Sequence, residues 1–291
     1  MSYAFDSEIL RVVKNALKED LGRGDITTRY FIPPEINVRA VIIAREKGIV
    51  CGLDIARLVF QCSDKKIQFL LRVKDGNKIT KGEILAELRG LARGILTAER
   101  VALNFLSLLS GIATRTHKFV EMVRPYPVKI MDTRKTIPGL RKLEKYAVRI
   151  GGGVNHRFAL SEMVLIKDNH LEVQDKLANR NLKDIIKNFR KKFGARIKIE
   201  LEVQNFKEFC QTLKAEPDII MLDNMSPREI KKAIRFQKKL SLPEAQRVKT
   251  EASGNITPAN IRCYAGCGVD FISLGTLTKD VQSLDTSLEI L

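Results

Sequence analysis

The chain has no tryptophan and only three histidines, and aromatic residues make up 6% of its 291 positions. Proteins that stack nucleic-acid bases need exposed aromatic side chains, so the composition argues against a base-stacking surface. The sequence contains no run of about 18 apolar residues, which argues against a transmembrane helix. Its N-terminal segment lacks the apolar core of a signal peptide. We therefore expect a cytoplasmic protein without a membrane partner.

Two common motifs are also missing. The five cysteines form no C-x-x-C pair, and no G-x-G-x-x-G segment follows a candidate strand. The cysteine spacing argues against a zinc site and is typical of free thiols in a reducing compartment. The missing glycine pattern argues against a dinucleotide-binding fold.

The charge is strongly one-sided, with 51 Lys and Arg against 34 Asp and Glu and a formal net charge of +17. Nucleic acids, anionic membranes and small polyanionic substrates are all candidate partners for such a chain. Many lysines occur in helical patterns at 182–194 and 227–240, where solvated helix faces explain them. We favour a small polyanion and expect no nucleic-acid partner. Binding with a steep salt dependence and no base specificity would indicate the nucleic-acid alternative.

The first third of the chain predicts a small mixed α/β domain over residues 1–113. A helix over 7–20 is stopped by Gly22 and Gly24, and β texture follows over 36–90 with one helix inside it. The turn signals at 74–77 and 81–82 predict hairpins. A long helix over 94–122 contains Gly111, which we expect to break or kink it.

The remainder, residues 114–291, predicts a parallel α/β barrel. Short apolar strands alternate with helical patterns, which is the signature of parallel β/α units. The absence of a nucleotide fingerprint favours a barrel over an open doubly wound sheet. The candidate strands are 128–131, 163–166, 197–203, 218–222, 247–252 and 270–275.

Polar or glycine residues follow or end each of these six strands. In a β/α barrel the chemistry lies at the C-terminal ends of the strands, so these residues converge on one face. The positions are Asp132–Lys135, Lys167–His170, Glu202, Asp223–Asn224, Ser253–Asn255 and Gly275–Thr276.

Three kinds of chemistry are present at these ends. The segment 132–170 is rich in cations, and guanidinium groups bind carboxylates or phosphates bidentately. The carboxylates of Glu202 and Asp223 can bind Mg²⁺, accept sugar hydroxyls or stabilise a developing cation. Small residues after the last barrel strands commonly form a backbone N–H cradle for phosphate.

Together these segments resemble the quinolinate phosphoribosyltransferases. The resemblance covers nearly the whole chain and rests on the order and spacing of several motifs. They include D-T-R-K-T-I-P-G-L-R (132–141), G-G-G-V-N-H-R (151–157), K-D-N-H (167–170), I-E-L-E-V (199–203), M-L-D-N (221–224) and E-A-S-G-N-I-T (251–257), after A-L-K-E-D-L-G-R-G-D-I-T-T (16–28) and L-T-A-E-R-V-A-L-N-F-L (96–106).

The resemblance implies an N-terminal α/β sandwich and an open-faced α/β barrel that associate as a dimer or hexamer. It also implies a reaction. Quinolinate and 5-phosphoribosyl 1-diphosphate, with Mg²⁺, give nicotinate mononucleotide, pyrophosphate and carbon dioxide, a step in NAD biosynthesis.

The resemblance implies site roles as well. Quinolinate carboxylates would be held by Arg134, His156, Arg157 and Lys167, joined by Arg100 from a neighbouring subunit. Three residues would act at the phosphoribosyl diphosphate: Lys135 as a direct contact, and Glu202 and Asp223 at the ribose and Mg²⁺. The 5′-phosphate would be held by Ser253, Gly254, Asn255 and Gly275. Asn255 stands where many family members have glycine, and asparagine is among the residues that best tolerate a positive φ.

Two other enzyme readings remain open at this point. Lys135 or Lys167 at a strand end could form a Schiff base, as in barrel aldolases, and borohydride trapping would detect it. A molybdenum-transport-associated relative with the same fold is a second alternative. The combination of the basic cluster with Glu202 and Asp223 favours the transferase.

Overall fold

A computed structural model describes residues 7–170, 172–173, 182–194, 196–240 and 247–291. The chain forms two compact units. The first contains residues up to Lys118, Lys135–Gly152 and Thr276–Leu291, and the second contains Phe119–Arg134 and Gly153–Gly275. The contiguous domains 1–113 and 114–291 stay a prediction from the sequence.

The first unit is built on an antiparallel sheet with the strand order β12-β1-β5-β3, accompanied by a short β2–β4 pair. Its strands are β1 (Asn37–Ala44), β2 (Gly48–Ile49), β3 (Gln68–Leu71), β4 (Lys78–Ile79), β5 (Ile84–Leu91) and β12 (Thr286–Ile290). Its helices are α1 (Ser7–Leu21), α2 (Ile26–Phe31), α3 (Leu53–Ser63), most of α4 (Ala92–Val123), α5 (Arg141–Ile150) and α10 (Thr276–Lys279).

The predicted helix over 7–20 is confirmed as α1, which buries Ile9 and Val13. The chain then reverses at Gly22, where φ is 54°, a value that glycine adopts without steric cost. Asp25 caps the following helix α2, because its carboxylate accepts a hydrogen bond from the Thr28 amide at 2.8 Å. The sequence analysis did not predict α2.

The predicted hairpins at 74–77 and 81–82 are wrong. Both segments do turn, with the Asn77 amide bonded to the Lys74 carbonyl at 3.0 Å and the Glu83 amide bonded to the Thr80 carbonyl at 3.2 Å. However, β3 and β5 belong to the four-stranded sheet, whereas β4 pairs with β2. Each turn therefore carries the chain from one sheet to the other.

The long helix α4 runs unbroken over Ala92–Val123, so the break or kink expected at Gly111 does not occur. A Cβ atom at Gly111 would lie 2.3 Å from the carbonyl oxygen of Gln282, so the glycine is needed for close packing of two backbones. By length and composition α4 could span a membrane. Because 61% of its most apolar window is buried inside the protein, it has the character of a core helix.

The second unit contains a six-stranded parallel sheet with the order β6-β11-β10-β9-β8-β7. The strands are β6 (Lys129–Met131), β7 (Met163–Ile166), β8 (Lys198–Val203), β9 (Ile219–Asp223), β10 (Lys249–Ser253) and β11 (Phe271–Ser273). The accompanying helices are α6 (Leu182–Phe193), α7 (Phe206–Leu213), α8 (Pro227–Lys239) and α9 (Ile261–Ala265). Strands β6 and β7 stand at opposite ends of the sheet, so the predicted open α/β barrel class is confirmed.

The register of this sheet aligns the ends of its central strands. Ser253 pairs with Asp223 on one side and with Ser273 on the other, and Ser273 pairs with Met131. Because parallel strands share one direction, their C-terminal residues lie along a single edge. That edge is where the sequence places its polar residues.

Candidate functional site

The predicted site residues of the second unit occupy the carboxyl edge of its sheet. Asp132 directly follows β6, and Lys167 directly follows β7. Glu202 lies near the end of β8, Asp223 ends β9 and Ser253 ends β10. Gly275 comes two residues after β11. The sheet thus gathers residues that are separated by more than a hundred positions in the chain.

Two guanidinium groups lie close together on one side of this edge. Arg157 is half-buried, and its Nη1 donates to the Met163 carbonyl at 2.9 Å. Burial and the positive charge of Arg134 lower the pKa of Arg157, against the opposing effect of Glu200. Like charges repel, so an anion that interacts with both groups would offset this repulsion.

A lysine–carboxylate pair joins the ends of β7 and β8. The Nζ atom of Lys167 lies 2.9 Å from Oε2 of Glu202. The Lys167 side chain is 45% exposed, whereas that of Glu202 is 9% exposed, so the pair is reached from the lysine side. This contact links a cation predicted for quinolinate to a carboxylate predicted for the ribose and metal.

Asp132 holds the segment that carries His156. Although it is a fully buried carboxylate, it accepts the His156 amide at 2.8 Å and the side-chain amide of Asn155 at 2.7 Å. Buried charges are tolerated when hydrogen bonds of this kind satisfy them. Asp132 therefore fixes the backbone from which His156 and Arg157 project.

His156 is itself part of a buried ionisable cluster with Glu200 and Glu251. Its Nε2 atom lies 3.0 Å from Glu200 Oε2 and 3.8 Å from Glu251 Oε2, and both glutamates are fully buried. Burial raises the pKa of Glu200 to about 7. Burial and the neighbouring charge of Glu200 raise the pKa of Glu251 well above its ordinary value, so the buried site favours the protonated form of this carboxyl.

On the other side of the edge, Asn224 connects a carboxylate to a turn. Its Nδ2 donates to Asp223 Oδ2 at 2.7 Å, and its Oδ1 accepts from Asn255 Nδ2 at 3.0 Å. Its amide also donates to the Ser253 carbonyl at 2.8 Å. One side chain therefore sets the relative position of Asp223 and the turn after β10.

The turn after β10 needs left-handed backbone at successive positions. Gly254 has φ of +90°, and Asn255 has φ of 52°. A Cβ at Gly254 would lie 2.1 Å from Asn224 Oδ1, so any larger residue would collide with the connection to Asp223. Asparagine is among the non-glycine residues that best tolerate this conformation, and the Asn255 carbonyl accepts a hydrogen bond from Asn260 Nδ2 at 3.0 Å.

Two predicted site residues belong to the first unit. Arg100 is exposed on α4, and Lys135 is exposed immediately after Arg134. The Lys135 carbonyl accepts a hydrogen bond from Thr278 Oγ1 at 2.7 Å, which anchors its backbone within that unit. The second unit accordingly brings together ten of the twelve predicted residues, which are Arg134, His156, Arg157, Lys167, Glu202, Asp223, Ser253, Gly254, Asn255 and Gly275.

Sequence reasoning missed the roles of Glu200, Glu251 and Asn224. Glu200 and Glu251 enter only as members of the motifs I-E-L-E-V and E-A-S-G-N-I-T, and Asn224 enters only beside Asp223 at the end of a strand. One signal was available, because an acid inside an apolar strand must be paired or protonated to be buried. Glu200 and Glu251 both occupy such positions, in β8 and β10.

Comparison with known protein families gives two matches that together cover most of the chain. Residues 25–110 match the N-terminal domain of quinolinate phosphoribosyl transferase. Residues 112–289 match the C-terminal domain of the same family.

Individual relatives agree with these matches. The chain is 40% identical over 283 residues to a probable carboxylating nicotinate-nucleotide pyrophosphorylase of Bacillus subtilis, covering 97% of this chain and 93% of the relative. It is 39% identical over 281 residues to the carboxylating nicotinate-nucleotide pyrophosphorylase of Mycobacterium leprae, covering 96% and 95%. The solved nicotinate-nucleotide pyrophosphorylase of Francisella tularensis superposes with a TM-score of 0.89 at 39% identity, over 98% of this chain and 96% of that one.

Proposed function

Because the chain belongs to the quinolinate phosphoribosyltransferase family, we propose that it transfers a phosphoribosyl group to quinolinate and releases carbon dioxide. The donor is 5-phosphoribosyl 1-diphosphate, and the products are nicotinate mononucleotide and pyrophosphate, for NAD biosynthesis. The observation that carries the proposal is that Arg157 interacts with Arg134 and with Glu200, and that Glu200 interacts in turn with the Lys167–Glu202 pair, within the strand-end site.

Quinolinate is a planar dianion, and the cationic side of the site suits it. Arg134 and Arg157 offer forked donors that match carboxylate geometry bidentately, and Lys167 adds a mobile point charge. The repulsion between the two guanidinium groups supports this role, since a dianion between them replaces repulsion by attraction. His156, held beside Arg157, completes this half of the proposed site.

The opposite half suits the sugar phosphate. Ser253, Gly254 and Asn255 form a turn whose backbone packs closely against Asn224. Gly275 lies two residues after the end of β11. Backbone amides of such turns bind phosphate oxygens without the desolvation cost of a full charge. We assign the 5′-phosphate to this turn, and Lys135 to the diphosphate.

The bond to pyrophosphate breaks with its electron pair leaving on the phosphate oxygen, so the ribose ring develops positive charge. The carboxylates of Glu202 and Asp223 stabilise that charge more in the transition state than in the ground state. The quinolinate nitrogen then bonds to the sugar carbon. The resulting pyridinium ring accepts the electron pair released when the adjacent carboxylate leaves as carbon dioxide, and the ring carbon takes up a proton.

Mg²⁺ fits the donor set of this site. Glu202 and Asp223 provide hard oxygen ligands on neighbouring strands, and Mg²⁺ in phosphate enzymes usually takes one or two carboxylates together with substrate phosphates. When bound, the ion would neutralise charge on the departing pyrophosphate. The residues that would hold it are Glu202 and Asp223.

We also propose that the chain self-associates as a dimer or hexamer, with Arg100 acting in the site of a neighbouring copy. Supporting this, the first unit exposes Leu21, Ile26, Tyr30 and Phe31 by 42%, 82%, 86% and 71%. Exposed apolar groups clustered along the chain in this way commonly mark an interface between proteins. We assign a second copy of this chain as the partner that covers this surface. We also propose that the protein is cytoplasmic.

The activity is tested with purified protein, quinolinate, 5-phosphoribosyl 1-diphosphate and Mg²⁺. We expect equal amounts of pyrophosphate and carbon dioxide, with the carbon dioxide derived from carboxyl-labelled quinolinate. Turnover of nicotinic acid in place of quinolinate would contradict the proposal. Borohydride added during turnover should trap no covalent adduct, in contrast to a Schiff-base enzyme.

The shared site is tested by mixing two variants. Arg100→Ala and Arg157→Ala should each lack most activity alone, and mixing them should restore activity because one site of a mixed dimer is then intact. Light scattering should show an oligomer, and Tyr30→Ser should weaken it. Failure of the mixture to recover, despite an oligomer in solution, would place Arg100 outside the neighbour's site.

A further inference from the structure

The cluster of His156, Glu200 and Glu251 is not explained by the proposed substrate contacts alone. Both glutamates are fully buried, and one ligand atom of each residue lies within 4.8 Å of those of the other two. None of the four carboxyl oxygens of the two glutamates makes a hydrogen bond of good geometry with the described residues. Two buried acids cost stability compared with apolar residues of the same volume, so their presence calls for a specific purpose.

The spacing alone would suit a metal ion, but the histidine argues against one. The backbone amide of Arg157 donates to His156 Nδ1 at 2.8 Å. A metal-bound histidine normally donates the proton of its other ring nitrogen, which fixes the ring. Because Nδ1 already accepts a hydrogen bond and so carries no proton, binding of a metal at Nε2 would require a ring with no N–H proton at all.

The same hydrogen bond determines the tautomer. Because Nδ1 of His156 is an acceptor, the neutral ring must carry its proton on Nε2. The carboxyl oxygen nearest to Nε2 is Oε2 of Glu200, at 3.0 Å, ahead of Oε2 of Glu251 at 3.8 Å. Glu251, on β10, the next strand but one, interacts with the Glu200 carboxyl from the other side of the cluster.

We propose that Glu200 and Glu251 are positioning residues that lock His156 in the Nε2–H form and in one ring orientation. Through the amide contact to Nδ1 they also fix the backbone from which Arg157 reaches its ligand. Asp132 clamps the other end of the segment by accepting the His156 amide at 2.8 Å. The inference rests on the proposed function in assigning the dicarboxylate to His156 and Arg157. It adds that selectivity for the dicarboxylate is set by two carboxyl groups, those of Glu200 and Glu251, that do not contact the substrate.

The first test compares two substitutions at Glu251. Ala removes the support of Glu200, whereas Gln keeps the shape and can still donate a hydrogen bond to it. We expect Glu251→Ala to raise the KM for quinolinate about tenfold, the scale of loss when an orienting partner is removed. The KM for phosphoribosyl diphosphate should stay unchanged, and Glu251→Gln should recover most of the loss. Equal losses for both substrates, or no recovery with Gln, would overturn the proposal.

A control separates positioning from general stability. Asp75 is a partly buried carboxylate of the first unit that accepts the Gly52 amide at 2.9 Å and the Leu53 amide at 3.1 Å. Asp75→Asn should lower the melting temperature while leaving the ratio of the two KM values unchanged. If Asp75→Asn changed that ratio as Glu251→Ala does, the selective role of Glu251 would be refuted.

The second test does not depend on activity, and it reads the wild-type protein itself. In ¹⁵N-histidine-labelled wild-type protein, the resonance of His156 is assigned by its loss in His156→Gln, with His117 and His170 as internal references. We expect a protonated Nε2 and an unprotonated Nδ1 at neutral pH. The Nδ1–H tautomer or an imidazolium would overturn the inference. Because this readout is independent of turnover, an inactive enzyme with the expected tautomer would refute only the proposed function.

The metal alternative is tested with Zn²⁺ alone. Titration of the metal-free protein should leave the His156 ring signals unchanged and should show no stoichiometric binding that Glu251→Ala removes. Tight binding of one ion that depends on His156 and Glu251 would overturn the positioning role.

Discussion

Lys167 and Glu202 form an ion pair between neighbouring parallel strands, with Nζ and Oε2 separated by 2.9 Å. The lysine is assigned to quinolinate and the glutamate to the ribose and metal, so the pair joins the two halves of the proposed site. On this assignment, a carboxylate of bound quinolinate would compete with Glu202 for the lysine. The pair therefore gives each substrate a way to influence the position of the other.

A double-mutant cycle measures this link. Lys167→Ala, Glu202→Gln and the double variant should give a coupling of about 1 kcal/mol in the free energy of unfolding without substrate. Saturating quinolinate should reduce it, because the lysine then has a second partner. The Lys198–Asp218 pair, at 2.8 Å, is a matched control whose coupling should not respond to quinolinate. A coupling at Lys167 that is equally insensitive would contradict the exchange of partners.

Arg157→Ala should weaken quinolinate binding far more than binding of phosphoribosyl diphosphate. Loss of hydrogen bonds to a charged group costs roughly 2 kcal/mol, which corresponds to about a thirtyfold change in affinity. Calorimetric titration with each substrate separately provides the measurement. Arg124→Ala removes an exposed arginine with an ordinary surface partner and should change neither affinity. Equal losses for both substrates would show that Arg157 is misplaced in the dicarboxylate half.

Gly254→Ala should act on the opposite substrate. The backbone at Gly254 has φ of +90°, and a Cβ would lie 2.1 Å from Asn224 Oδ1, so the turn must move. Displacement of a binding loop by a fraction of an ångström is expected to raise the KM for phosphoribosyl diphosphate roughly tenfold or more. Asn255→Gly keeps the left-handed backbone and loses only the 3.0 Å bond to Asn224, so its effect should be smaller. The reverse order would argue against steric displacement.

Gly111→Ala tests the close packing of α4. Alanine normally stabilises a helix interior by about 1 kcal/mol relative to glycine. Here its Cβ would lie 2.3 Å from the Gln282 carbonyl oxygen, and overpacking of this kind costs about 1–3 kcal/mol. We expect a lower melting temperature, measured beside Glu121→Ala near the exposed end of the same helix. A higher melting temperature would show that the Gln282 segment can move away.

The buried carboxyl pair predicts a pH dependence of stability. The pKa of Glu251 in the folded protein lies well above the ordinary value of 4.5, chiefly because of burial. The folded state therefore binds more protons than the unfolded state above that pH, and the free energy of unfolding falls as the pH rises. Glu251→Gln cannot ionise. Denaturant titrations from pH 4 to 8 should show the wild type losing stability relative to this variant, and parallel curves would contradict the pKa shift.

Much of the fold of the second unit could be predicted because each of its strands and helices is encoded by a short continuous stretch of sequence. Each β/α unit places an apolar strand, a polar end and an amphipathic helix in sequence, so periodicity locates all six strands of the parallel sheet. The fold of the first unit was harder to predict from the sequence. Helix α5 was missed because its buried side includes Glu144 and Lys145, which interrupt the apolar pattern. Strand β12 was missed because its partner β1 lies more than two hundred residues away.

For the site, the sequence placed the strand-end cations and acids correctly on one edge but not the supporting interactions. Glu200 and Glu251 belong to strands, and a strand pattern does not say whether a polar side chain faces water or a closed interior. Asn224 follows Asp223 directly and resembled an ordinary turn residue. Its role depends on Asn255, which only the pairing of β9 with β10 brings within reach.

The pairing of β12 with β1 has a consequence for synthesis on the ribosome. Ala44 pairs with Thr286 and Ala40 with Ile290, so the edge of the first sheet is supplied by the last strand to emerge. Until then β1 presents unpaired backbone groups along one side, which is the kind of edge that recruits other chains. The nascent first unit must therefore remain incomplete while the whole second unit is translated. Chaperone demand and misassembly should be greatest in that interval.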